Sequence, residues 1–392
     1  MDFPIVTLHR GRARPFWAGN PLVFSGAIES VAGGPAPGSL VEVRDAEGRP
    51  IGHGFFNPAS QYRVRIVRLE RASEPPPEPA AILASRLAAA RDLRATIGLP
   101  SADTDAWRLV NSEGDGLSGL TVDVFGDCAV ILASALWVET WRDAVDSAVR
   151  AAVPHVTTVV HRVSAQVQGQ EGMSAAPPAA EVATVRVRES GIVFEIDPTK
   201  GQKTGFYLDQ RTNRLLVRSL AAGRRVLDLY CFTGGFALAA AAGGAAEVLG
   251  IDTSAPAIDV ARRNAAANGL VSARFDVGDA VDALAAGGGW DMVICDPPKL
   301  ARSRNDLEAA LPRYRRISRD AVAVVRPGGV LVTCSCSSAM RRDAFVEVVR
   351  DAAAEAGRRL AITHVLGAAP DHPVHPAFPE GEYLKCVVGV AS

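Results

Sequence analysis

The segment Val226–Phe236 constrains the fold of this chain more than any other. Its first residues, Val226–Leu229, are mostly apolar and partly β-branched, which is typical of a buried parallel strand. A Gly-Gly turn follows, and the Ala-rich run Phe236–Ala242 predicts a helix. Strand, glycine turn and helix begin a doubly wound α/β sheet, where ligands bind outside the carboxyl ends of the strands. Asp228 lies near that end, so we expect a carboxylate to face the crevice.

Two classes of cofactor fit such a turn, a nicotinamide dinucleotide and S-adenosylmethionine (SAM). Asp252 lies 18 residues beyond Gly234, at the end of the second predicted strand. An acidic side chain there can hold the ribose hydroxyls of either cofactor. The dinucleotide motif needs a third glycine, which is missing, and the turn contains Asp228, Tyr230 and Phe232 instead. Because SAM needs a polar, partly acidic pocket rather than a pyrophosphate cradle, the sequence favours SAM.

Length and charge limit the remaining possibilities. A chain of 392 residues predicts two or three domains. The formal net charge of −1 gives no general attraction to nucleic acid, so any RNA contact has to come from local patches. We expect neither a secretion signal nor a membrane span. The six scattered cysteines suit a reducing cytoplasm.

The composition predicts three domains, at residues 1–71, 72–180 and 181–392. The first contains nine arginines and six acidic residues, a charge of +3. On charge alone, an ordinary β domain is favoured over an RNA-binding barrel. Its predicted strands are Val23–Ile28, Leu40–Arg44, Ile51–Phe55 and Tyr62–Leu69. A Pro-rich linker leads to an α+β domain, whose Gln-, Gly- and Pro-rich run Gln166–Pro178 predicts a mobile loop.

The third domain opens with a predicted hairpin and a polar loop, Gly201–Arg211, which we interpret as a site loop. From Arg225 onward, β and α patterns alternate, which predicts a mostly parallel sheet whose final strand runs antiparallel. The seven predicted strands are Val226–Tyr230, Val248–Ile251, Ala273–Asp276, Met292–Cys295, Val330–Cys334, Leu360–Val365 and Tyr383–Val390.

Reactive side chains follow the later strands of this predicted sheet. Asp279 follows the third strand, where it could accept from an adenine amino group or cap a helix. The fourth strand ends in Asp296-Pro297-Pro298-Lys299, a stiff backbone where a ligand would lie. Cys336 falls past the apolar part of the fifth strand, between two serines, and is a candidate nucleophile. Cys231, Cys295 and Cys386 are interpreted as buried apolar residues, and no metal site is expected.

Basic residues lie beside this predicted site. The segment Leu300–Arg319 contains six arginines, which fit either a phosphate-contacting surface or a solvated helix face. We expect RNA contacts from Lys299, Arg302 and Arg304, in and beside this segment, and from Arg211 at the end of the predicted site loop.

Together these motifs resemble a family, the PUA-domain-containing class I SAM-dependent methyltransferases that make 5-methylcytosine in large-subunit ribosomal RNA. The most specific strings are Gln-Lys-Thr-Gly-Phe at Gln202–Phe206 and Asp-Pro-Pro-Lys at Asp296–Lys299. Further matching segments are Gly52–Pro58, Ser335–Ser337 and Pro379–Lys385. The resemblance extends over essentially the whole chain.

The resemblance implies a fold and an activity. It implies an N-terminal β-barrel PUA domain that binds RNA, a small α+β linking domain, and a Rossmann-like methyltransferase domain with a seven-stranded sheet. SAM would be the cofactor, and 23S ribosomal RNA the partner. Cys336 would add to carbon 6 of a cytosine, with Asp296 hydrogen-bonding the base edge. The SAM-binding residues would be Gln202, Lys203, Phe206, Asp228, Tyr230, Phe232, Gly234, Asp252, Thr253 and Asp279.

The chain departs from the family pattern at one place, and its reaction, its function class and its oligomeric state stay open. Typical RNA cytosine-5 methyltransferases have a second cysteine where this chain has Pro298-Lys299, so the group that releases the adduct is open. Methylation of a guanine nitrogen is an alternative activity, and a non-catalytic ribosome assembly factor is an alternative of another class. The sequence also leaves open whether the protein forms a homodimer.

Overall fold

The computed structural model describes residues 3–69, 78–174, 182–199, 204–301 and 303–392. The chain divides into two compact units, which are described separately. The first comprises Met1–Val187, Ile196–Tyr207 and Asp371–Gly381; the second comprises Arg188–Glu195, Leu208–Pro370 and Glu382–Ser392. The domain boundaries after residues 71 and 180 stay predictions. In the described part of the chain, no helix has both the length and the apolar character needed to span a membrane.

The first unit begins with a six-stranded sheet, which has two more strands than predicted. Its elements are β1 (Ile5–Leu8), α1 (Arg14–Trp17), β2 (Leu22–Phe24), β3 (Ile28–Ala32), β4 (Leu40–Arg44), β5 (Pro50–Phe56) and β6 (Tyr62–Leu69). The strand order is β2-β6-β5-β4-β1-β3, and β1 pairs with β4 in parallel. The single predicted strand Val23–Ile28 is wrong, because a 3₁₀ turn at Ser25–Ala27 separates β2 from β3. Gly26 at the centre of that turn is a strand breaker.

An α+β layer completes most of the first unit. Its elements are α2 (Pro79–Thr96), β7 (Ala106–Asn111), β8 (Leu120–Phe125), β9 (Cys128–Ala133), α3 (Leu136–Thr140), α4 (Arg142–Ala152), β10 (Thr158–Arg162) and α5 (Ala165–Glu171). The four strands form a sheet of order β10-β9-β8-β7. Buried Leu83 and Leu87 on α2 and Trp137 on α3 belong to one core with the apolar residues of β7–β9.

The predicted mobile loop Gln166–Pro178 is wrong over its first half, where α5 forms. Ser164 caps this helix by accepting from the Val167 amide, and Gly172 ends it in the left-handed conformation. Glu171 is buried, accepting from Asn57 and forming an ion pair with Arg65 at 2.9 Å. These long-range partners, which local composition does not reveal, hold the segment in place. Residues 175–178 of the predicted loop lie outside the described residues.

The second unit contains the predicted seven-stranded sheet. The predicted hairpin consists of β11 (Val185–Glu189) and β12 (Ile192–Ile196). The elements that follow it are α6 (Arg211–Leu220), β13 (Arg225–Leu229), α7 (Gly235–Ala242), β14 (Glu247–Asp252), α8 (Ala255–Ala267), β15 (Ala273–Val277), α9 (Ala280–Ala285), β16 (Trp290–Cys295), α10 (Leu307–Val324), β17 (Val325–Ser335), α11 (Arg342–Glu355), β18 (Leu360–Leu366) and β19 (Lys385–Ala391). The strand order is β15-β14-β13-β16-β17-β19-β18. The expected antiparallel final strand is confirmed, since β19 pairs antiparallel with both neighbours.

The parallel strands β14, β13, β16 and β17 end at one edge of the sheet. Their registers align Leu229 with Ile251 and with Cys295, and Cys295 with Thr333. The central strands β13 and β16 are buried along nearly their whole length, as expected for strands covered on both faces. The residues that follow them therefore meet in one crevice outside the carboxyl ends.

The core beneath this sheet gives a test of the fold. Phe345 on α11 is fully buried, and its ring lies 5.8 Å from that of Tyr314 in edge-on contact. We expect Phe345→Ala to lower the free energy of unfolding by about 3–5 kcal/mol, through lost burial and a residual cavity. Val271, which is 95% exposed, is the control, and Val271→Ala should stay within about 0.5 kcal/mol. Urea unfolding followed by circular dichroism measures both; equal effects would contradict the packing described.

Candidate active site

The turn after β13 has an unusual backbone. Tyr230, Phe232 and Gly234 all have positive φ, at 61°, 50° and 88°. A left-handed conformation costs roughly 1–2 kcal/mol at a non-glycine residue, and such strain concentrates at functional sites. A Cβ on Gly234 would lie 3.0 Å from the Phe275 ring and 3.2 Å from Ala261. The glycine is therefore required both by its φ and by the side chains packed against it.

Asp228 connects this turn to the helix that follows. Its side chain is buried, and Oδ2 accepts a hydrogen bond from the Ala237 amide at 2.9 Å, in the first turn of α7. The second carboxylate oxygen, Oδ1, is also buried and has no hydrogen-bond partner among the residues that the structure describes. A buried acceptor without a partner is costly, so this oxygen is suited to a donor supplied by a ligand.

Three carboxylates meet at this edge of the sheet. Burial raises the pKa of Asp228 well above its usual value, and the nearby charges of Asp296 and Asp252 add to the rise. Asp252 accepts from the Phe232 amide at 2.9 Å and from the Ser254 amide at 2.9 Å, so it fixes the turn. These carboxylates, when ionised, therefore favour a cationic group of a ligand at this edge of the sheet, although Arg214 is also near Asp228.

The other residues predicted near the adenosine lie at the ends of β14 and β15. Thr253 is exposed directly after Asp252. Ser254 caps α8, as its position predicts, by accepting from the Ala257 amide. Asp279 is exposed and caps α9 by accepting from the Val281 amide at 2.7 Å. The capping interpretation of Asp279 is thus observed, and its contact with adenine stays a prediction.

Gln210 is a site residue that the sequence reasoning missed. It is buried, and its Nε2 donates to Asp296 Oδ2 at 2.9 Å. Asn213 Nδ2 donates in turn to Gln210 Oε1 at 2.5 Å, which fixes the direction of the amide. Asp296 thereby has a defined orientation. The signal available in the sequence was the polar Asp-Gln-Arg string that closes the predicted site loop.

Cys336 differs from every other cysteine of the chain. It is half-buried, immediately beyond the end of β17, whereas the other five are buried. Cys334 lies opposite Cys386 in the antiparallel pair, and a hydrogen bond from Cys386 together with burial raises its pKa well above the usual value. Burial likewise raises the pKa of Cys231 and of Cys295. Cys336 is therefore the cysteine best placed to react as a thiolate.

Ser337 fixes the backbone that carries Cys336. Its hydroxyl lies 2.8 Å from the Tyr314 hydroxyl of α10 and accepts from the Ala301 amide at 3.1 Å. Ala301 follows the Asp296–Lys299 string, so this one side chain joins the loops after β16 and β17. The loop with the carboxylate and the loop with the thiol are held together.

Lys385 lies beneath the same turn. It is fully buried at the start of β19, in register with Ser335. Its Nζ donates to the Ser337 carbonyl at 2.6 Å and to the Tyr383 carbonyl at 2.9 Å. Burial lowers the pKa of Lys385 to about 8, while the nearby Cys336 opposes that shift.

The remaining predicted residues belong to the cofactor loop and to the expected RNA contacts. Gln202, Lys203 and Arg302 fall outside the described ranges. Phe206 is buried in the first unit. Among the predicted RNA contacts, Arg211 is buried at the start of α6, and Lys299 and Arg304 are exposed. These roles stay predictions.

The arginines of α10 favour the solvated-face interpretation. Arg315 lies 3.4 Å from Asp351 and 3.4 Å from Glu355 of α11. Arg319 pairs with Asp320 at 2.7 Å. Such exposed pairs contribute little to stability, and they partly neutralise this helix face.

The described residues fit SAM better than a dinucleotide. A pyrophosphate is anionic and would face three carboxylates, whereas SAM carries a sulfonium and an ammonium cation. The partnerless Oδ1 of Asp228 is a suitable acceptor for the ammonium group.

Comparison with known proteins agrees with this architecture. Residues 146–380 match the family model described as S-adenosylmethionine-dependent methyltransferase, and residues 6–68 match that of a PUA-like domain. The chain is 35% identical, over 98% of its length and 96% of the relative's, to "Ribosomal RNA large subunit methyltransferase I" of Salmonella arizonae. It is equally 35% identical to the protein of that name from Klebsiella pneumoniae, over 98% and 97% of the two chains.

A solved structure shares the fold over the whole chain. A candidate SAM-dependent methyltransferase from Streptococcus mutans superposes with a TM-score of 0.81, over 98% of this chain and 100% of that one, at 20% identity. A similar structure, a candidate methyltransferase with the same score and coverage, was solved in complex with S-adenosylhomocysteine. At this identity the likeness shows the class I methyltransferase fold with its N-terminal PUA-like domain.

The glycine of the turn gives a matched test of the cofactor site. Gly234 and Gly223 both have positive φ, but a Cβ on Gly223 would meet nothing within 4 Å. We expect Gly234→Ala to weaken SAM binding by about tenfold or more, because the turn must shift away from Phe275. The Gly223→Ala variant has a similar backbone strain, and we expect it to bind SAM as tightly as the wild type does. Isothermal titration calorimetry measures both, and equal affinities would argue against the site.

The carboxylate cluster predicts a pH dependence. Because the pKa of Asp228 is raised, its ionised form, which attracts the cations of SAM, accumulates as pH rises. The affinity for SAM should therefore increase as pH rises above the range in which an ordinary carboxyl group ionises. Asp228→Asn should remove most of this dependence and weaken binding at neutral pH by about 10- to 100-fold, the value of a charge-assisted hydrogen bond. An unchanged slope in the variant would show that another group is responsible.

Proposed function

The chain belongs to the S-adenosylmethionine-dependent methyltransferase family, and from that premise we propose that it methylates carbon 5 of a cytosine in large-subunit ribosomal RNA. The named relatives support the RNA substrate, since they are 35% identical and matched over nearly their whole length. The matched PUA-like domain supports it as well. The half-buried Cys336 at the carboxyl edge of β17 is the observation that supports carbon 5 of cytosine as the methylated atom.

Carbon 5 of cytosine needs activation before it can accept a methyl group. Addition of the Cys336 thiolate to carbon 6 places an electron pair on carbon 5, which then behaves as an enamine. Bound SAM supplies a methyl group on a sulfonium sulfur. After transfer, the proton on carbon 5 leaves to a base, and the electron pair of that bond expels the thiolate from carbon 6.

The residues around Cys336 have separate tasks in this scheme. Asp296, oriented by Gln210, accepts from the exocyclic amino group of the base. Ser337 keeps the turn of Cys336 against the loop of Asp296 through its contact with the Ala301 amide. Because two loops that form no regular structure must hold the base, their mutual attachment reduces the cost of orienting it.

The substrate RNA has to present an unstacked base. A cytosine inside a duplex cannot expose carbon 6 to a thiolate, so we expect a loop or otherwise opened region of the RNA. The exposed Lys299 beside Pro298 is placed to contact a phosphate next to the flipped base.

Replacement of the nucleophile tests this function. We expect Cys336→Ala to reduce methyl transfer from labelled SAM to large-subunit ribosomal RNA by roughly a thousandfold or more, with SAM binding retained. The control is Cys334→Ala, because that thiol is buried two residues away and should not be needed for transfer. Methyl transfer retained by the Cys336 variant would exclude the adduct and favour guanine methylation. Absence of transfer with the wild type would favour an assembly factor.

A further inference from the structure

The second unit contains a buried cation that the proposed chemistry has not used. Lys385 has no exposed surface, which is rare for a lysine. Two of its three N–H groups donate to the carbonyls of Ser337 and Tyr383. Both acceptors are neutral, so they hold the ammonium group in place without neutralising it.

The fold places this ammonium under the turn that contains the nucleophile. Lys385 pairs in register with Ser335, and its Nζ lies 2.6 Å from the carbonyl of Ser337. Cys336 is the residue between those two positions. Burial lowers the pKa of Lys385, and Cys336 is the charged group that most opposes this shift.

We propose that Lys385 is a positioning residue for the reaction, whose buried ammonium stabilises the Cys336 thiolate and holds its turn in place. This inference rests on the proposed function, in which Cys336 is the nucleophile. When the thiolate forms, the thiol proton leaves to solvent, and the amine of Lys385, whose pKa burial lowers to about 8, stays mainly protonated at and below neutral pH. The same cation is then present to stabilise the thiolate that is expelled when the adduct breaks down.

The other charges of the described residues that act on Lys385 are in contact with solvent. They are Glu382, Lys299 and Arg342, and all three are exposed. Arg342 and Glu382 also pair with each other, which reduces the field of both. Exposed charges are screened by salt, whereas a buried one is screened much less. High salt therefore reduces the contribution of these three exposed charges more than that of Lys385.

Alkylation of Cys336 as a function of pH tests the proposal directly. The full-length protein is treated with iodoacetamide in high salt, without SAM or RNA, and modification of Cys336 is followed by mass spectrometry. Only a thiolate reacts, and an unassisted thiol has its midpoint near about pH 8.5. We expect the wild-type midpoint to lie clearly below that value, and Cys336→Ser to remove the modified peptide.

Two substitutions separate charge from hydrogen bonding. Lys385→Gln keeps two N–H donors for the two carbonyls but removes the charge, so the midpoint should rise by about one pH unit or more. Lys385→Arg keeps a cation and should retain a midpoint near that of the wild type. Equal midpoints in the wild type and the Gln variant, or an equal rise in both variants, would overturn the proposal.

If circular dichroism shows that neither variant folds, the alkylation midpoint of the wild type alone tests the proposal. A wild-type midpoint at or above about pH 8.5 overturns the proposal, and one below it supports a buried cation beside the thiol. Failure of the proposed function is distinguishable, because it would appear as methyl transfer retained by Cys336→Ala, whatever the alkylation shows.

Discussion

The parallel pairing of β13 with β14 and β16 is the constraint on which the site depends. Parallel strands in register end at one edge, and here each of the three is closed by an aspartate near its carboxyl end. The pairing thus brings Asp228, Asp252 and Asp296 toward one another, and burial, together with the charges of the other two, raises the pKa of Asp228. The cost of that arrangement is offset when a ligand with sulfonium and ammonium groups, such as SAM, enters, so the same carboxylates favour that cofactor.

A second feature extends the crevice from cofactor to substrate. The antiparallel strand β19 lies against β17 and brings Lys385 under the turn that contains Cys336. Ser337 joins that turn to the loop of Asp296, and Gln210 orients the carboxylate. The proposed nucleophile, base-edge acceptor and cation therefore rest on side chains that are themselves buried and hydrogen-bonded, which is how a reactive geometry is kept fixed.

Much of the sheet could be predicted because its pattern is local. The apolar runs at Val226–Leu229 and Met292–Cys295 are short, bounded by turn residues and buried on both faces, so periodicity alone identified them. Gln210 and Lys385 could not be found in this way, since their importance lies in partners far along the chain. Helix α5 was missed for the same reason: its Glu171 is held by Asn57 and Arg65, which are more than a hundred residues away.

The most direct measurement of the central claim is whether Cys336 bonds to carbon 6 of a cytosine. Large-subunit ribosomal RNA transcribed with 5-fluorocytidine carries fluorine where the departing proton should be, so the adduct forms and cannot break down. If Cys336 is the nucleophile, a SAM-dependent complex forms that survives denaturing electrophoresis, with the RNA attached to the peptide containing Cys336. A wild-type protein that methylates the normal RNA yet forms no such complex, or forms it through another residue, would show that Cys336 is not the nucleophile.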